Sequence, residues 1–108
     1  MTIYRQGDVL LIKAKAIPAA AKPVPREQGR VILAHGEVTN HCHALHSAAV
    51  TFFRPDDMPT GSVGGWLEVR ETAQLVHEEH STITLPPGIY RLARQVEEMP
   101  DAVRQVAD

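Results

Sequence analysis

"WLEVRETAQLVHEEHSTITLPPGIYRLARQ", residues 66–95, decides the fold class. Within it "WLEVR" (66–70), "AQLVH" (73–77) and "TITL" (82–85) are short apolar runs separated by polar turns, too brief for helices and rich in residues that favour extended chain. Pro87-Gly88 then turns the chain into a longer last strand. Short strands at this spacing predict an all-β protein, a small barrel or a two-sheet sandwich.

Working outward, "AVTFF" (49–53) continues the β pattern, and "RPDDMPTGSVGG" (54–65), dense in Pro, Asp and Gly, reads as a connecting loop. "RVILA" (30–34) is a further strand that Gly36 interrupts before "EVTNHCHAL" resumes. "PAAAKPVPREQG" (18–29) contains three prolines and reads as an exposed loop. "DVLLIKAKAI" (8–17) follows a Gly7-Asp8 turn as a first strand near a sheet edge, with Leu10, Ile12 and Ala14 on one phase and Lys13 and Lys15 on the other. The tail "MPDAVRQVAD" has Pro100 at a first helical position and Val103 and Val106 three apart, which leaves room for a short C-terminal helix.

A chain of 108 residues is the size of one domain, spanning 1–108. Its hydrophobic share of 44% and charged share of 22% are those of a globular protein. The net charge of -2 and the scattered basic residues argue against a broad nucleic-acid-binding face. The N-terminal stretch is neither a signal peptide nor a membrane span, so a cytoplasmic location is expected, with no membrane partner. Cys42 is the single cysteine, which excludes an internal disulfide. So small a β domain leaves edges to cover, and a homodimer is expected on that ground.

All six histidines fall in two stretches, "HGEVTNHCHALH" (35–46) and "LVHEEH" (75–80). On a strand His41 and His43 point to the same face, as do Glu37, Thr39 and Leu45, while Cys42 points to the other. His77 shares the phase of Ala73 and Leu75 and reaches the mouth of the interior if Leu75 faces inward. His80 joins it only if "HEEH" turns. Imidazoles with a carboxylate suit a divalent transition metal, Zn, Ni, Fe or Cu. The candidate ligands are His41, His43 and His77, with Glu37, Glu79 or His80 as the fourth or as the outer partner. His35 and His46 read as surface residues.

"GEVTNHCHALH" and "LPPGIYRLARQ" resemble the two motifs of the cupin family, the first placing H-x-H after a glycine and the second containing a P-x-G turn. The resemblance implies a small β-barrel with a metal at its centre, held by His41 and His43. The chain departs from the pattern: the spacing from Gly36 to His41 is short, no glutamate follows His43 at the family's spacing, and no histidine follows Pro87-Gly88. The chain as a whole, through "YRQGDVLL", "GEVT.H.H" and "HEEH...LPPG.Y", is also similar to small uncharacterised bacterial and phage-type proteins. That likeness carries no activity with it.

The leading expectation is a metal-binding β domain that uses both histidine clusters and acts on a small-molecule substrate, with Glu37 or Glu79 as general base. A second reading is a metal-free nuclease or lyase using histidine acid–base chemistry with Arg94, whose phase with Tyr90 and Leu92 points it inward. A third is a non-enzymatic protein-interaction domain working through the proline-rich loop or a strand edge.

Overall fold

The computed structural model describes residues 2–35, 41–59 and 61–95. Among them lie ten strands: β1 (Ile3–Gln6), β2 (Val9–Ala14), β3 (Ala21–Pro23), β4 (Val31–His35), β5 (Cys42–Leu45), β6 (Val50–Pro55), β7 (Gly65–Val69), β8 (Ala73–Val76), β9 (Ile83–Leu85) and β10 (Gly88–Arg94). The protein is all-β over these residues, and every strand pairing is antiparallel. The expected C-terminal helix and Glu37 lie outside the described residues.

The strands form two sheets, one ordered β1-β2-β10-β7-β6-β3 and the other β4-β5-β8-β9. Edges approach where β1 meets β9 and where β4 meets β6, but no ladder joins them. The closed barrel that the sequence allowed, and that the cupin resemblance implies, is therefore corrected to a two-sheet arrangement. The reason is that barrel closure needs continuous hydrogen-bond pairing around the circumference.

The alternation that marks each strand also builds the core. Leu67 and Val69 of β7, Ala73 and Leu75 of β8, Ile83 and Leu85 of β9, and Tyr90 and Leu92 of β10 are buried, while Gln74, Thr84 and Arg91 between them face solvent. Val9, Leu11, Val31, Leu33, Leu45, Val50 and Phe52 complete one shared core between the sheets. Each fully buried aliphatic side chain contributes roughly 1.5–3 kcal/mol relative to exposure. β2 is apolar on both faces, because Leu10 and Ile12 pack with Ile3 and Ala93 in a second, smaller cluster.

Two segments differ from expectation. The proline-rich stretch carries the short strand β3, which pairs with β6 at a sheet edge; Pro23 ends it, where a missing N–H is tolerated. β1 precedes the expected first strand and takes the outer position, so β2 lies one place in from the edge.

Candidate metal centre

β5 and β8 are the scaffold of the site. Their ladder pairs Leu45 with Leu75 and Ala44 with Val76, so the next step of the same register sets His43 opposite His77. Their ring centres are 4.5 Å apart. His41, two residues before His43 and on the same phase, brings its ring centre to 5.8 Å from that of His77.

The "HEEH" segment bends immediately after β8. This turn carries His80 to 4.6 Å from His77 and 6.0 Å from His43, ring centre to ring centre. Gly7 lets it settle: a Cβ at that position would lie 2.7 Å from His80 Nε2, and the backbone there has φ of 60°. A bulge in β4 sets Leu33 and Ala34 together opposite His43, at the same end of the fold.

The two glutamates of the bend divide their work. Glu78 accepts a hydrogen bond from the Cys42 backbone N–H at 2.9 Å, which ties the bend to the start of β5, between His41 and His43. That bond is the main reason its carboxyl is held below the usual range. Glu79 places a carboxylate oxygen 3.3 Å from His41 Nδ1. Cys42 accepts a hydrogen bond at its sulfur from Arg30 at 3.5 Å and lines a pocket with Ala44, His46, His77 and Glu78.

His43 is the buried member, 3% exposed. Its Nδ1 lies 2.9 Å from the side-chain oxygen of Gln6, which is itself fully buried. Burial above all, then the neighbouring His77 charge, pushes its pKa down to about 4, so the ring is neutral near pH 7. His77 is lowered too, by desolvation and then by His80.

The cluster thus joins four candidates from the sequence, His41, His43, His77 and His80, with Glu79 at its rim. Two rings bound through nitrogen to one tetrahedral zinc at about 2.0–2.1 Å would have centres on the order of 5 Å apart, which is the spacing seen here. Donor direction is a separate matter. Among the described residues no group of three or more His, Cys, Asp or Glu side chains has its donor atoms arranged to hold a metal ion. One obstacle is visible at His77, whose Nδ1 accepts the Glu79 backbone N–H at 3.0 Å; a neutral ring held this way carries its proton on Nε2.

Other candidates fall elsewhere. His35 and His46 are exposed, as expected. Arg94 keeps the phase of Tyr90 and Leu92, but at the end of β10 it is half exposed and ion-paired with Asp8 at 3.1 Å. It lines a separate cleft of about 300 Å³ with Val24, Phe52 and Arg54. Nothing in the histidine stretches points to Gln6; its signal in the sequence is an amide side chain directly before the Gly7-Asp8 turn. Among the described residues no helix is long and apolar enough to cross a membrane.

No curated protein and no solved structure shows a significant match to the chain. Residues 5–95 match the family described as a domain of unknown function, DUF8820, and the protein belongs to that family.

Proposed function

We propose that the histidine cluster binds a divalent transition metal, with His41 and His43 as its first two ligands and His77 or His80 completing the set. The observation that carries this reading is the orientation of the first pair. Each turns its Nδ1 toward a side-chain oxygen, Glu79 for His41 and Gln6 for His43. That leaves both Nε2 atoms for a ligand, and an imidazole whose second nitrogen meets an oxygen acceptor is the common arrangement of metal-bound histidine.

The charge state of His43 agrees with it. Coordination needs a neutral imidazole, and a ring with a pKa of about 4 is neutral throughout the physiological range. The same value makes His43 a poor general base near pH 7, which weighs against the metal-free acid–base reading. Arg94, the other element of that reading, is held by Asp8.

His77 must turn its ring and release the Glu79 N–H before its nitrogen can face the others, so binding involves a local rearrangement of the 77–80 bend. A metal held here would supply Lewis acidity or an activated water to a small substrate, with Glu79 the described carboxylate beside it.

Elemental analysis of protein made without a histidine tag, beside His41→Ala/His43→Ala, tests the proposal. Near-stoichiometric Zn, Ni, Fe or Cu that vanishes in the double variant supports it. Protein that stays empty when supplied with these ions refutes it.

A further inference from the structure

The side chain of Gln6 is fully buried at the end of β1 and makes three hydrogen bonds. Its Nε2 donates to the carbonyl oxygens of Leu75 and Ser81, both at 2.9 Å. A carbonyl oxygen can only accept, so the atom facing these two must be the amide nitrogen, and the carboxamide has one allowed orientation. Its oxygen is then the atom 2.9 Å from His43 Nδ1. That oxygen too can only accept, so His43 must carry its proton on Nδ1.

We propose that Gln6 is a positioning residue that locks neutral His43 in the Nδ1–H tautomer and presents an unprotonated Nε2 to the histidine cluster. The sequence of constraints runs from backbone to ring: two fixed carbonyls orient the amide, and the amide chooses the tautomer. Leu75 and Ser81 flank the 77–80 segment, so the same side chain also holds the bend that carries His77 and His80 in register with His43. One fully buried residue of the six-stranded sheet thereby sets the donor atom of a residue in the four-stranded sheet.

The tautomer stands on hydrogen bonding alone, whereas the use of its lone pair for a metal rests on the function proposed above. The two are separable. Two-dimensional ¹⁵N–¹H spectra of the imidazoles in the metal-free wild type at neutral pH read the tautomer directly. The expected result for His43 is a protonated Nδ1 and an unprotonated Nε2; a protonated Nε2 overturns the proposal whether or not a metal binds.

Gln6→Met keeps the length of the side chain without an acceptor, and should leave His43 in a mixture of tautomers. Gln6→Glu offers at most one donor to the two carbonyls but still accepts from Nδ1–H, and should restore a protonated Nδ1. If Gln6→Met keeps that tautomer, or Nδ1 is unprotonated in Gln6→Glu, the acceptor role is wrong. Cobalt(II) titrated as the probe should bind Gln6→Met more weakly by about 10–100-fold, the usual consequence of losing an outer partner. An unchanged cobalt affinity would overturn the positioning role, while a wild type that binds no cobalt would refute the metal reading and leave the tautomer result to decide on Gln6. Should neither variant fold, the wild-type spectrum still decides which nitrogen of His43 holds the proton.

Discussion

His43 and His77 face each other across β5 and β8 with ring centres 4.5 Å apart, in the register position that follows the Ala44–Val76 pair. Two imidazoles this close cannot both be protonated without repulsion, and His43 is also desolvated. The pair is therefore built to be neutral.

A pH dependence follows. The folded-state pKa of His43 lies near 4 and its unfolded value near 6.5, so between these limits the unfolded chain binds more protons. The contribution of His43 to stability is full above pH 6.5, falls as pH drops through this window, and levels off below about 4. The loss from this residue is on the order of 3 kcal/mol, and His43→Gln should flatten it. Urea unfolding at pH 7, 5.5 and 4.5 checks the sign; stability that rises on acidification would contradict it.

Gly7→Ala should destabilise the fold by about 1–2 kcal/mol, from the strain of a side chain at positive φ and from the displacement of His80. The added Cβ would sit 2.7 Å from His80 Nε2, so the ring must leave its place. Chemical denaturation gives the energy, and the His80 ring resonances should move more than those of exposed His46.

Arg94→Ala should cost no more than about 1 kcal/mol, since its partnership with Asp8 is an exposed ion pair. Metal affinity should not change. A large loss of any histidine-dependent activity in this variant, with metal binding intact, would revive the metal-free reading.

The parts of the fold that were legible share one property: their burial follows the period of a single strand. β7, β8 and β9 bury alternate residues, and their limits lie close to the expected ones. β1 and β3 escaped because "IYRQ" and "AKP" have no alternation of their own; each is a strand only through its neighbour, β2 or β6. Whether the edges would close into a barrel depended on pairings between distant segments, which no local pattern encodes.

The site was readable in the same measure. The phase of His41 with His43, and of His77 with Leu75, follows from strand geometry, and the bend that admits His80 was one of two open alternatives. The pairing of β5 with β8 joins residues thirty positions apart, and that register alone makes His43 and His77 neighbours. Gln6 reaches His43 from the other sheet, so its role had no trace in the histidine stretches themselves.

At the gap between β1 and β9, where a barrel would have had a ladder, Gln6 supplies its two bonds to the Leu75 and Ser81 carbonyls. A ladder opens residue by residue at the cost of many backbone bonds, whereas among the described residues the Gln6 side chain bridges this seam with no ladder between β1 and β9. Its parting would leave every strand pair of both sheets intact, so it offers a route for local opening that breaks no ladder bond. In hydrogen exchange the amides bordering this seam should lose protection well before those of β7 and β10, and the first solvent to enter the core would pass His43 on its way.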